Sequence, residues 1–169
     1  LSNCIYTSKN SDANLAQTLL SELSGKVVAT FDSEFKDYWS ASDGVFPYRD
    51  IEDEGKRSGT HPYSDIPNIG YGLRVFDHYS DTNSLLQMSG NQESKLMNYG
   101  GLDTDYLFLL SWTLTGKIDI LDLGALAAMA NPWLPQTLSK IKDGKLNHPN
   151  IVYIDLLDPY ICQAIIDLN

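Results

Sequence analysis

The chain has 169 residues, with 12 Lys+Arg against 22 Asp+Glu and a formal net charge of −10. That length suits one domain spanning 1–169, and 43% hydrophobic with 20% charged residues is the balance of a folded chain, not a disordered one. The acidic excess excludes nucleic acid as a natural partner, because phosphates call for clustered Lys and Arg, and it gives no general basic patch for anionic membranes.

Residue 1 is Leu, and no basic segment followed by an apolar run comes after it, so the chain reads as a processed product or a piece of something longer. Asp12 can cap a helix carrying Leu15, Leu19, Leu20 and Leu23 that stops at Gly25. Residues 26–31 (KVVATF) are the first strand-like run. The stretch 32–72 holds Gly, Pro, Ser, Asp and many aromatics and reads as a long loop; such loops are uncommon and usually functional. Its aromatics Trp39, Phe46, Tyr48 and Tyr63 are candidates for a rim that touches substrate or a lipid surface. Residues 73–76 (LRVF), 106–110 (YLFLL) and 151–154 (IVYI) are three further strands. Asn83 can cap a helix that runs to Gly100-Gly101, residues 118–129 read as a third helix, and residues 134–141 as a fourth ending at Gly144. The 118–129 stretch is the longest apolar one, but Asp119, Asp122 and Gly124 interrupt it well short of the roughly 20 residues of a membrane span. Asp158-Pro159 signals the start of a final helix.

The four strands lack strict polar alternation, as expected of strands covered on both faces, and they alternate with helices. An α/β fold with a parallel sheet follows. Two architectures fit: an open doubly wound sheet, complete in itself, or half of an eight-stranded (β/α) barrel, which needs about 250 residues. A lone half-barrel would expose two sheet edges, so the second architecture requires completion by another segment or chain. Two cysteines, Cys4 and Cys162, are too few for a disulfide scaffold and match no zinc spacing; Cys162 falls on an apolar helical stretch, and Cys4 could pair with it or with a cysteine elsewhere.

Either architecture places chemistry at the carboxyl ends of the strands. Those ends carry Asp32, Asp77, Ser111-Trp112 and Asp155. Each aspartate alone is common at a strand end, where it accepts loop hydrogen bonds; three at one rim suggest a polar site that holds a hydroxylated ligand or orients a histidine. A hard cation wants more convergent oxygens than these, and His61, His78 and His148 lie in separate segments without ligand spacing, so no metal is expected. Neither GxSxG, a P-loop nor a post-strand GxGxxG is present, and no cofactor is expected.

The segments GKVVATF at 25–31, RVFDHYSDTN at 74–83, LFLLSWTLTG at 107–116 and NIVYIDLLD at 150–158 together resemble the bacterial-type phosphatidylinositol-specific phospholipases C and their PLC-like phosphodiesterase relatives. Their order and spacing are similar to the last four βα units of that family's TIM-type barrel, over about residues 20–169. The resemblance implies metal-free cleavage of a phosphodiester of phosphoinositide type. One histidine acts as general base on the inositol hydroxyl and a second as general acid on the leaving alcohol, with an arginine on the phosphoryl charge. It implies that Asp155 partners the general-base histidine, that Asp77 takes ring hydroxyls, and that Tyr79 stacks on the ring, with Asp32 and Trp112 as further substrate-binding positions. Asp32-Ser33 stands where the bacterial enzymes usually carry a cation. The histidines and arginine would come from an N-terminal half, of the same protein or a second chain, acting with this one on a phospholipid or phosphodiester at a membrane surface, outside the cell as relatives often do. This chain alone is then inactive. The alternatives are a non-catalytic relative that binds a sugar or lipid head group, and a self-contained flavodoxin-like module.

Overall fold

The computed structural model describes residues 4–11, 13–31, 33–50, 72–116 and 122–168. It divides into two compact units, Leu1–Phe76 with Asp105–Leu107, and Asp77–Thr104 with Phe108–Asn169. The architecture is α/β with five strands in sequence order: β1 (Ala29–Phe31), β2 (Val45–Asp50), β3 (Leu73–Asp77), β4 (Leu107–Trp112) and β5 (Ile151–Ile154). The ladders β1–β2, β2–β3 and β4–β5 are all parallel. Helices α1 (Leu85–Tyr99), α2 (Leu123–Ala130), α3 (Leu134–Lys142) and α4 (Pro159–Ile166) lie between and after the last three strands. Sequential parallel strands with intervening helices are compatible with part of a TIM-type barrel.

The count of four strands needs correction, because β2 lies inside the stretch expected to be a loop. Ser40 and Val45 exchange both backbone hydrogen bonds at 2.9 Å across a tight turn, in which Gly44 has φ +78°. The chain leaves that turn extended. Pro47 disguises the strand, yet it costs no ladder bond. Residues 45–47 pair with β1 and residues 48–50 with β3, so the proline closes one ladder before the other begins. Phe46 is therefore a core residue of the first unit, with Ala13, Leu15 and Ala41, and it stacks on Tyr6 with ring centroids 5.8 Å apart. It forms no rim. Tyr63 and His61 lie outside the described residues.

The helix expected from Asp12 to Gly25 is a single 3-10 turn at Leu15–Gln17, and Asp12 itself lies outside the described residues. Asn14 caps that turn by accepting from the Ala16 amide, and Thr18 at ψ 131° is already extended. Leu19 and Leu20 are left exposed.

In the second unit the helices are where their signals place them. Ser84, one residue after the expected Asn83, caps α1 through the Gln87 amide. Asp122 caps α2 and Asp158 caps α4 in the same way; residues 117–121 are not among those described. Helix α3 buries Leu134, Thr137, Leu138 and Ile141, the i, i+3, i+4, i+7 stripe of an amphipathic helix. The core joins these to Met88 and Leu96 of α1, Phe108, Leu110 and Trp112 of β4, and Ile161 of α4. Asn150 sets the register of β5: its Oδ1 accepts from the Phe108 amide at 2.7 Å and its own amide donates to the Phe108 carbonyl at 3.0 Å. Cys4 and Cys162 are both free thiols. Among the described residues no helix is long and apolar enough to cross a membrane.

Candidate functional site

The segment after β3 carries Asp77, His78 and Tyr79, and α1 pins its backbone. Gln92 follows Met88 by four residues and precedes Leu96 by four, so it lies in phase with the buried stripe and is 0% exposed. Its Nε2 donates to the His78 carbonyl at 3.0 Å and to Ser80 Oγ at 2.9 Å. Its Oε1 accepts from the Ser111 amide of β4 at 3.1 Å. Lys95, also buried, donates from Nζ to the His78 carbonyl at 2.9 Å and to the Tyr79 carbonyl at 3.3 Å. Further on, the Thr115 amide donates to the Thr82 carbonyl at 2.9 Å, and Thr82 Oγ1 donates to Gln87 Oε1 at 2.8 Å. The outcome is a clamped backbone from which the Tyr79 side chain, 54% exposed, stands into solvent.

Gln92 is thus the bolt of this segment. Gln92→Met keeps the volume but strands the Ser111 amide, while the Ser80 hydroxyl keeps Asn91 and the His78 carbonyl keeps Lys95. At about 1–3 kcal/mol for one buried unsatisfied group, a loss of that size in urea denaturation is expected. A loss below about 1 kcal/mol would mean that the network does not hold the segment.

At the end of β5 the register pairs Ser111 with Tyr153 and Trp112 with Ile154, and Asp155 follows directly. The next residue, Leu156, has φ +49°, a left-handed conformation that is uncommon for a γ-branched side chain. Asn131, at the junction of α2 and α3, holds this turn. Its Nδ2 donates to the Asp155 carbonyl at 2.8 Å and to the Leu156 carbonyl at 3.2 Å. Strain that persists beside a strand-end carboxylate is a familiar mark of functional sites. Because Leu156 is exposed, Leu156→Asn should relieve the strain and raise stability by about 1 kcal/mol, read as a higher melting temperature. A lower melting temperature would show that the leucine packs more than it strains.

Among the sequence-derived site residues, Asp77 ends β3, Tyr79 follows it by two, and Asp155 follows β5. Trp112 ends β4, but its indole is 1% exposed and donates from Nε1 to the Ala130 carbonyl of α2 at 3.0 Å, so it packs as core. Asp32 lies outside the described residues. No group of three or more His, Cys, Asp or Glu among the described residues is placed to hold a metal ion. Residues that the sequence reading missed include Gln92, Lys95 and Asn131. The phase of Gln92 within the α1 stripe was the available signal; for Asn131 there was none. The first unit adds two buried arginines, Arg49 on β2 and Arg74 on β3, directly opposite in register and hence on one face of the sheet. Arg74 pairs with Asp105. A scan of protein-family models, a search of curated proteins and a search of solved structures each find no match to this chain.

Proposed function

We propose that the chain forms the carboxyl-terminal part of a PLC-like phosphodiesterase barrel that binds a phosphorylated, hydroxylated head group of phosphoinositide type. The observation that carries this reading is an exposed Tyr79 two residues beyond the strand-end Asp77, on a backbone locked by Gln92 and Lys95. Preorganised aromatic and carboxylate groups are what ring binding requires: an aromatic face for the apolar side of the ring and an acceptor for its hydroxyls. Asp155, beside β5, is placed by sequence to orient a histidine supplied by another segment or chain, holding its tautomer and stabilising the imidazolium. That histidine, with a second one and an arginine, completes a site acting on a phospholipid or phosphodiester at a membrane surface outside the cell.

The test is a titration of the chain with myo-inositol phosphate, followed by tyrosine fluorescence and by chemical shifts. Saturable binding is expected. Tyr79→Ala should weaken it about tenfold, the scale of one lost ring contact plus ordering. As an exposed side chain, Tyr79 should change stability by less than about 0.5 kcal/mol when truncated. Unaltered affinity in Tyr79→Ala removes the stacking role, and no saturable binding removes the reading. Binding in a complete protein that cleaves no phosphodiester would make it a head-group-binding relative instead.

A further inference from the structure

Within the second unit, α1 and α3 line a groove of about 400 Å³. Leu86, Ser89, Gly90 and Glu93 line it from α1, and Trp133, Gln136, Thr137 and Lys140 from α3 and the residue before it. Both sets have the i, i+3, i+4, i+7 spacing of one helix face. The charges are spent inside the wall: Glu93 Oε1 accepts from Lys140 Nζ at 2.6 Å and from Thr137 Oγ1 at 2.7 Å.

Gly90 is the anomaly. After proline, glycine is the poorest residue for a helix interior, and it is kept where another group must approach the backbone closely. No described residue makes that approach, because a Cβ at position 90 would meet nothing within 4 Å. The wall that holds this bare patch also holds two exposed apolar side chains, Leu86 at 83% and Trp133 at 50%.

Polar groups within a ligand's reach complete the lining. Gln136 is exposed, and its amide bonds to none of the described residues, so one acceptor and two N–H donors are on offer. The half-buried Ser89 spends its hydroxyl proton on the Leu86 carbonyl at 3.3 Å and keeps its lone pairs. An anionic ligand finds the one lysine of the wall already paired, and an alkyl chain would leave the Gln136 amide unanswered. The lining calls for an uncharged ring with an apolar face for the indole and a rim of donors and acceptors for the amide, in a volume normal for small-molecule sites.

We propose that this groove binds a neutral pyranose, either free or as the end residue of a glycan. Its C–H face lies on the Trp133 indole and over Gly90, and its hydroxyls bond to Gln136 and Ser89. The site shares no residue with the Asp77–Tyr79 segment, needs no phosphate, and is independent of the phosphodiesterase reading.

The probes are glucose, galactose and mannose with their methyl pyranosides, titrated into the whole chain and followed by ligand-detected NMR, with cyclohexanol as an apolar ring for comparison. At least one sugar should bind saturably, and cyclohexanol should bind about tenfold more weakly or not at all. A methyl pyranoside tighter than its parent sugar assigns the site to a glycan end, and parity or the reverse assigns it to the free sugar. Trp133→Ala should weaken binding at least about tenfold, and the exposed Gln136→Ala about three- to tenfold, the worth of one hydrogen bond. Gly90→Leu puts a better helix former into open space, so it should keep or raise the melting temperature and abolish binding. No saturable binding of any sugar, cyclohexanol bound as tightly as the best sugar, or undiminished binding in Gly90→Leu or in Gln136→Ala would each overturn the proposal.

Discussion

Trp112→Ala is expected to destabilise the chain by about 3–5 kcal/mol, the range for deleting a buried aromatic side chain. Against the roughly 5–15 kcal/mol that holds a typical domain folded, this is a large fraction. Two effects add. The indole fills the interior at the end of β4, and it forms part of the wall of a groove of about 400 Å³ that includes Leu85, Trp133 and Thr137; truncation extends that groove into the core. The second effect is polar. The indole Nε1 donates to the Ala130 carbonyl at 3.0 Å, where α2 passes directly into the 3-10 turn Asn131–Trp133, so the bond satisfies the buried indole N–H and ties β4 to that junction. Trp112→Phe separates the two, keeping most of the volume and losing the bond, with an expected cost of about 1–2 kcal/mol. Urea denaturation of both variants provides the check. A loss below about 1 kcal/mol for the alanine variant would show that the indole contributes little packing at this position.

Why β3, β4, β5 and the last three helices were legible while β2 and Asn131 were not follows from the range of the forces involved. Strand runs such as YLFLL and IVYI are unbroken stretches of β-branched, aromatic and Leu residues, and a run of that kind announces itself in one dimension. The expectation that both faces are covered fails for β5, where Ile151 and Tyr153 are exposed and Val152 and Ile154 half-buried. Asp158-Pro159 announces α4 just as locally, because cap and helix start are within three residues of each other. The strand-end positions of Asp77 and Asp155 are legible for the same reason: they come immediately after such a run. β2 hides because its proline is tolerated only through the offset of its two ladders, a property of its neighbours on either side. The segment with Leu15, Leu19, Leu20 and Leu23 misleads in the opposite direction. Its helical spacing is genuine, but Leu19 and Leu20 are exposed, and a helix needs a surface to bury its apolar face against. The clamp residues Gln92, Lys95 and Asn131 act over separations of 12 to 25 residues, and all their partners but the Ser80 hydroxyl are backbone groups that any residue type could supply. The strand-end carboxylates are thus written locally, whereas what holds their segments in place is written in tertiary structure.

Gly72→Ala should cost roughly 2–5 kcal/mol, the sum of about 1–2 for a left-handed backbone and about 1–3 for forced repacking. Gly72 has φ +90°, and a Cβ there would lie 2.4 Å from both Cγ and the carbonyl oxygen of Pro47. Neither side can readily yield. The Gly72 amide donates to the Ala13 carbonyl and its carbonyl accepts from the Leu15 amide, each at 2.9 Å, so retreat from Pro47 breaks the bonds that join β3 to the segment before it. Pro47 in turn is held by its pairing with Phe31 of β1. Gly25 provides the control. It has φ +70°, and a Cβ added there would meet nothing within 4 Å, so Gly25→Ala bears the backbone cost alone, about 1–2 kcal/mol. Thermal and urea denaturation of the two variants under one set of conditions should therefore differ by about 1–3 kcal/mol. Equal losses would mean that Gly72 is required for its φ alone, and that Pro47 fits into β2 without the close approach a glycine permits.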